Sequence, residues 1–275
     1  MRAVGVRWTV GDVSRLGYEA LCASLHGAVR TFGPEASYVV VVNTVPVERA
    51  RELAGDVPDG VEWLAASGAL PDWLSHRIDA AMADGAAWKL DPVRLFADRL
   101  ELALDNDCIL WDMPLAIREW LAGDDGAACV VAEDVARCFG RFHAWGPPEP
   151  RNAGIRGLPP GAGFERELRR LLEESGVTLA SEQDEQGLQV AALYRLGGVR
   201  VVGLGDVAIC SPFPPHRPEL GRCGGHFVGL NVRSLPWRVH GRPAVEHLRD
   251  NWLRHRAAVF ARVGLPAVAG DEGGA

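Results

Sequence analysis

The sequence predicts an α/β protein built on a mostly parallel sheet. Short β-branched apolar runs alternate with amphipathic stretches through the first half of the chain, and the links between them are short. Residues 37–45, SYVVVVNTV, form a nearly unbroken apolar run, as a strand buried on both faces requires.

Taken in order, AVGVRWTV at 3–10 reads as the first strand. A helix follows over 14–33, with Ser14 as its cap and Gly33 as its stop. After the second strand at 37–45, a proline opens a short helix in PVERARELAG, and 60–66 suits a third strand. DWLSHRIDAAMADG (72–85) and DPVRLFADRLELAL (91–104) read as two helices, the second opened by Asp91-Pro92. CILW (108–111) is a strand, PLAIREWLAG (114–123) a helix and AACVVAED (127–134) another strand.

Beyond Cys138 the texture changes. Residues 141–163 are rich in Pro and Gly and read as loop. FERELRRLLEESG is an amphipathic helix ended by Gly176. DEQGLQVAALYRLG is a further helix and VRVVGLG a strand. The prolines of 210–225 exclude regular structure there, and HFVGLN at 226–231 suits a short strand or sheet edge. PAVEHLRDNWLRHRAAVFARVG is a long amphipathic helix. The expected organisation is a single domain in two halves, 1–138 and 139–265, with a flexible tail at 266–275.

Composition excludes several classes. The 275 residues carry a formal net charge of -7, which argues against nucleic acid as a partner. Six cysteines without a CxxC pair suggest neither a disulfide framework nor a zinc knuckle, and Cys108 and Cys129 read as core thiols. Arg7 and Asp12 interrupt the N-terminus where a signal peptide needs its apolar core, and no apolar run reaches membrane-spanning length. A cytoplasmic location is the expectation. GxxxxGK[ST], HExxH and GxSxG motifs are absent, and Gly203-Leu204-Gly205 lacks the GxGxxG spacing.

Four segments can carry chemistry. In LDNDCILW, Asp105 and Asp107 stand two apart, so at strand period both carboxylates reach one hard divalent cation while Asn106 points elsewhere. A hydrogen-bonded Asp/Asn turn reads the same way. The pair precedes the apolar CILW, so the rule placing ligands at strand ends does not account for it. RNAGIRGLP offers Asn152 as donor and acceptor, and Gly154 for close backbone approach; a turn into a strand fits equally. SEQDEQGLQ sets Glu182, Asp184, Glu185 and Gln186 at a helix start, where carboxylates also favour the dipole. His226 follows two glycines and becomes informative only in the company of the aspartates. Asp124-Asp125 and Glu133-Asp134 read as surface turns or caps, and His143 and His216 lie in loops without company.

In this order the segments resemble glycosyltransferases of the GT-A fold, over roughly residues 1–240. WKLDPVRLFADRLELALDNDCILWDMP is similar to their Asp-x-Asp metal region, RNAGIRGLP to their donor-sugar segment and DEQGLQ to their Asp-Gln segment. GGHFVGLN resembles the late His-x-x-Gly of the retaining glycosyltransferase family 8, related to glycogenin. The resemblance implies a GT-A-type single domain with nucleotide-binding and donor-sugar/acceptor halves. It also implies Mn²⁺ or Mg²⁺ on Asp105, Asp107 and His226, bridging the diphosphate of a nucleotide sugar, UDP first among the expected bases. Lys89 and Arg233 would add positive contacts to the donor, although Arg233 stands later than the family's lysine. Asn152 and Gly154 would line the sugar pocket, and Asp184, Glu185 and Gln186 would meet the donor hydroxyls or serve catalysis. Either Asp184-Glu185 or Glu185-Gln186 matches the family's Asp-Gln pair.

The implied reaction is transfer of a hexose with retention to a carbohydrate, peptide or small-molecule acceptor, with Pro-rich loops at 144–163 and 211–224 able to close over the donor. A sugar nucleotidyltransferase shares the α/β core and the metal but needs a Gly-rich basic loop after its first strand, which is lacking. A catalytically silent carbohydrate-binding or scaffold protein is the reading if the acidic pair binds no metal. The long last helix suits a homo-oligomer contact or a lid on the sheet.

Overall fold

The computed structural model describes residues 3–79, 82, 85–123, 128–233 and 235–266. The first helix shows how local sequence sets the frame. Strand β1 (Val4–Val10) leads to Ser14, whose hydroxyl accepts the Gly17 N–H and starts α1 (Arg15–Phe32), and Gly33 ends it at φ 77°. The chain then alternates through β2 (Ser37–Val42), α2 (Val47–Ala54) and β3 (Val61–Ala65), with parallel pairing of β1 to β2 and β2 to β3.

A single helical turn, α3 (Asp72–Ser75), precedes β4 (Leu100–Leu104) and β5 (Cys108–Leu110). Helix α4 (Leu115–Ala122), β6 (Cys129–Glu133), β7 (Arg151–Leu158), α5 (Phe164–Ser175), α6 (Glu182–Leu196) and β8 (Val199–Val202) follow. Last come β9 (Val207–Ile209), β10 (Gly224–His226), a hairpin of β11 (Arg238–Val239) and β12 (Arg242–Pro243), and α7 (Ala244–Val263).

The central sheet has seven strands in the order β3-β2-β1-β4-β7-β6-β8. All pairs are parallel except those of β7, which runs antiparallel to β4 and β6. Because β7 lies between β4 and β6, both halves of the sequence build one sheet. A smaller sheet, β5-β10-β9, sets His226 opposite Cys108. The core has three parts. One contains Trp8, Leu21, Leu25, Leu102 and Trp120, and a second Phe139, Phe142, Leu168, Leu172 and Leu188. The third packs Trp252, Phe227 and Phe260 around Ile109.

The α/β class and mostly parallel sheet follow the sequence, but four segments differ from expectation. The helix expected over 91–104 is a loop with a cis Asp91-Pro92 bond followed by strand β4, which pairs with β1. Leu100, Leu102 and Leu104 are buried, and Glu101 is also buried, beside Arg7 of β1. Among the described residues of the helix expected over 72–85, α3 and Met82 are helical and 76–79 are not; residues 80, 81, 83 and 84 lie outside the described set. Within the stretch read as loop at 141–163, residues 151–158 are the strand β7. Its glycines suit close approach: a Cβ on Gly157 would lie 2.7 Å from Val130 Cβ. The extended run expected at 226–231 is strand only at its first residue. Asp124-Asp125 and residues 267–275 of the tail lie outside the described residues.

Candidate active site

The order of the sheet reverses between β1 and β4, since β2 and β3 run one way from β1 and β4 begins the other side. Such reversals leave a crevice beyond the carboxyl ends of the strands. A cleft of about 350 Å³ lies there. Thr9, Gly11 and Asp12 line it from the end of β1, Asn43 from the end of β2 and Asp105–Asp107 from the end of β4. With β4 in place, the acidic pair does obey the strand-end rule.

Asp105 and Asp107 are held by a turn rather than an extended strand. Cys108 N–H donates to Asp105 O at 2.9 Å, and Asp105 N–H to Gly154 O at 2.9 Å. Phe227 N–H donates to Asp107 O at 2.9 Å, which ties the acidic turn to the segment bearing His226. His226 Nε2 lies 3.3 Å from Asp107 Oδ1 and 3.6 Å from Asp105 Oδ2. One ligand atom from each of the three residues falls within 4.8 Å of the others. Asp107 Oδ1 is buried and accepts no hydrogen bond. Two carboxylates and an imidazole around such an oxygen fit a divalent cation of the Mn²⁺ or Mg²⁺ kind. Asn106 points away, donating to Gly17 O at 3.1 Å and exchanging amide bonds with Asn231.

Lys89 reaches the same group, with Nζ 2.8 Å from Asp105 Oδ1 and 2.9 Å from Oδ2. Burial works to lower the ammonium pKa, but Asp105 and Glu185 outweigh it and hold Lys89 charged. Burial likewise opposes the His226 cation, yet the Asp107 and Asp105 carboxylates raise its pKa above the ordinary value. For Asp105, burial is outweighed by Lys89 and His226, and its carboxyl pKa is lowered.

Asn152 and Gly154 stand beside His226. Gly154 N–H donates to Asn152 Oδ1 at 2.8 Å, and Asn152 Nδ2 donates to Asp134 Oδ2 at 3.1 Å. The space above Gly154 belongs to a protein side chain: an added Cβ would stand 2.3 Å from His226 Cε1 and 2.7 Å from Nδ1. Gly154→Ala is therefore expected to displace the imidazole, weaken Mn²⁺ binding at least about tenfold and cost about 1–3 kcal/mol through overpacking. Calorimetry and thermal melts check both, and unchanged Mn²⁺ affinity in the folded variant would remove His226 from the ligand set.

Asp134 is buried, contrary to the surface turn expected of it, and His216 Nε2 lies 3.3 Å from its Oδ1. His143 also has a partner, Arg137 Nη1 at 2.8 Å. The proline-rich loop at 211–223 is thus tethered near the cleft through His216, Asp134 and Asn152.

Helix α6 closes another side. Glu182, Glu185 and Gln186 fall on one face at i, i+3 and i+4 and line the cleft, as does Gln183. Asp184 turns the other way. Its Oδ1 accepts the Arg141 N–H at 2.8 Å and its Oδ2 the Ala180 N–H at 2.9 Å. Gln186 Nε2 donates to Cys138 O at 3.0 Å. Arg233 is outside the cleft lining and pairs with Asp12 at 2.9 Å. Thr9, Asp12, Asn43, Gln183 and Asn231 carried no signal in the sequence beyond their polar type.

Glu185 is 2% exposed, and burial, with Asp105 adding to it, pushes its carboxyl up to about 7. The folded value exceeds the ordinary 4.5, so the folded state binds the proton more tightly than the unfolded chain. The associated stability is complete below pH 4.5 and is lost as pH rises through about 7, a change of up to about 3 kcal/mol. Glu185→Gln removes this dependence, so the variant should gain on the parent between pH 5 and pH 8 by most of that amount, about 2.5 kcal/mol. Urea denaturation at the two pH values tests it; a pH-independent difference would contradict it.

No protein-family model matches the chain, and no curated protein matches it in sequence. Solved structures do share its fold. The galactosyltransferase LgtC, in complex with donor and acceptor sugar analogs, matches with a TM-score of 0.59 and 13% identity, over 98% of each chain. The bifunctional glycosyltransferase WbbM matches at 0.55 with 14% identity, over 95% of this chain and 52% of its own. Mouse xyloside xylosyltransferase 1 matches at 0.55 with 11% identity, over 84% of this chain and 99% of its own. The chain has a GT-A-type fold, distantly similar to these glycosyltransferases.

Proposed function

We propose that the chain is a metal-dependent glycosyltransferase, moving a hexose with retention from a UDP-linked or other nucleotide-diphosphate sugar to an acceptor hydroxyl. One observation carries the reading: Asp105, Asp107 and His226 converge in a cleft at the end of β4, on a fold shared with glycosyltransferases. These three side chains would hold Mn²⁺ or Mg²⁺. Such an ion, when bound, supplies Lewis-acid stabilisation of the departing diphosphate.

The chain's own groups have separable tasks. Lys89, held beside Asp105, adds positive charge near the leaving group. Arg233 contributes only if it leaves Asp12 for the diphosphate. Asn152 and Gly154 form the wall next to His226 and so border the sugar. Glu185 and Gln186 face the cleft and take the positions assigned to the Asp-Gln pair, whereas Asp184 supports the turn at Gly140–Arg141 from outside. Residues 1–138 then serve the nucleotide, and 139–265 the donor sugar and acceptor. Among the described residues no helix is long and apolar enough to cross a membrane.

The test is calorimetric titration with UDP, GDP, CDP and dTDP, with and without Mn²⁺. One nucleotide is expected to bind tightly, and only with the metal. Absence of metal-dependent binding for all four would overturn the reading in favour of a binding module.

A further inference from the structure

Behind the cleft floor runs a buried polar array of which the metal and donor reading uses only Glu185. Arg156 on β7, Gln189 on α6 and Glu185 one turn before it are each 2% exposed. Gln189 Nε2 donates to Glu185 Oε1, and Arg156 Nη1 donates to Gln189 Oε1. Arg156 is itself fixed: its guanidinium lies 4.9 Å from the Phe164 ring centre, and Nη2 donates to Val93 O at 3.4 Å. Arg156, Gln189, Lys89 and Asp105 also share the walls of a cavity of about 20 Å³ beneath the site. The array therefore reaches from Phe164 and Val93 to the cavity that Asp105 of the acidic turn also lines.

The direction of these bonds follows from chemistry. A guanidinium can only donate, so Gln189 must offer Arg156 its carbonyl oxygen. Its amide NH₂ is then committed to Glu185, and Glu185 Oε1 must accept. We infer that Arg156 and Gln189 are positioning residues for Glu185, wiring its carboxyl so that Oε1 accepts within the protein and any proton is carried on Oε2. The functional value of that orientation rests on the proposed glycosyl transfer, in which Glu185 borders the donor; the wiring itself does not. Burial drives Glu185 to titrate near 7, and the charged groups acting on it are Lys89, Asp105, Arg156 and Glu182. Lys89 and Arg156 favour its ionised form, while Asp105 and Glu182 oppose it.

Two substitutions on different elements test the wiring. Gln189→Leu removes the donor to the carboxylate. Arg156→Met removes a favourable charge and frees the Gln189 amide to turn its oxygen toward a protonated Glu185. Both are expected to raise the Glu185 titration by at least about one pH unit. The readout is carboxyl-¹³C glutamate NMR on the full chain with Mg²⁺, the signal assigned by its loss in Glu185→Gln. Affinity for the nucleotide that binds with Mg²⁺ should stay within about twofold, and the pH profile of donor turnover should move with the titration. A purely structural array would lower the melting temperature without moving the Glu185 signal, and an unmoved signal in either folded variant overturns the inference. If no nucleotide binds the parent protein with metal, the glycosyltransferase reading fails separately, and the NMR titration still decides the wiring.

Discussion

Replacing Asp107 by alanine is expected to lower metal-dependent nucleotide affinity at least about 100-fold while the protein remains folded. Substitution of groups that merely orient metal ligands costs about 10–100-fold in affinity, and loss of a ligand should cost no less. Asp107 is 2% exposed, and apart from His226 Nε2, 3.3 Å from its Oδ1, the chain supplies little to satisfy it. Its Oδ2 receives the Asn231 amide at 3.3 Å, and its Oδ1 accepts no hydrogen bond. A buried carboxylate oxygen left this way is costly unless a cation completes it. Alanine removes the carboxylate but leaves the Asp107 carbonyl that receives Phe227 N–H, so the turn and the His226 segment keep their connection. Affinity should also weaken as pH falls through the raised His226 titration, because an imidazolium cannot ligate. Calorimetry with Mn²⁺ and the bound nucleotide reads both effects. Parent-like affinity in Asp107→Ala would show that the acidic turn is only a turn.

The site was legible where chemistry is local and obscure where it depends on distant partners. Asp105 and Asp107 stand out because two carboxylates two residues apart are unusual beside an apolar run, and His226 because glycines surround it. Which member of the 184–186 set faces the cleft is a question of helix phase relative to a cavity, and the cavity is made by β1, β4 and β7 together. The first strands and α1 were readable because Ser14, Gly33 and the apolar run of β2 act within a few residues. Strand β7 was not, since Asn152, Gly154, Arg156 and Gly157 look like loop. Each is explained only by a partner elsewhere: Asp134, His226, Gln189 and Val130. Strand β4 was hidden for the same reason. Its Asp-Pro opening and charged residues fit a helix start, and Glu101 has no evident place in a buried strand.

Glu101 is where the second large effect is expected: Glu101→Ala should destabilise the protein by about 3–5 kcal/mol, the range for breaking a buried ion pair from one side. Glu101 and Arg7 are each 1% exposed and stand on neighbouring strands, with Arg7 Nη1 3.9 Å from Glu101 Oε1. Burial pushes Arg7 down to about 10, with Glu101 opposing, so the guanidinium is still charged at neutral pH. Alanine would leave that charge in the core with Pro92 O and Thr9 Oγ1 as its remaining hydrogen-bond partners. It would also strip the acceptor from the Leu95 and Phe96 N–H groups, both 2.7 Å from Glu101 Oε2. Those bonds fold the 91–99 loop back onto β4, which is why the segment is not the helix its composition suggests. At this chain length each kcal/mol shifts the melting temperature by about 2–4 °C, so a fall of roughly 10 °C is expected. Adding Arg7→Met should recover part of the loss by removing the stranded charge, but not all of it, because the two loop N–H groups stay without their acceptor. A single variant that melts within about 2 °C of the parent would show that the pair contributes little and that the loop is held by its apolar contacts instead.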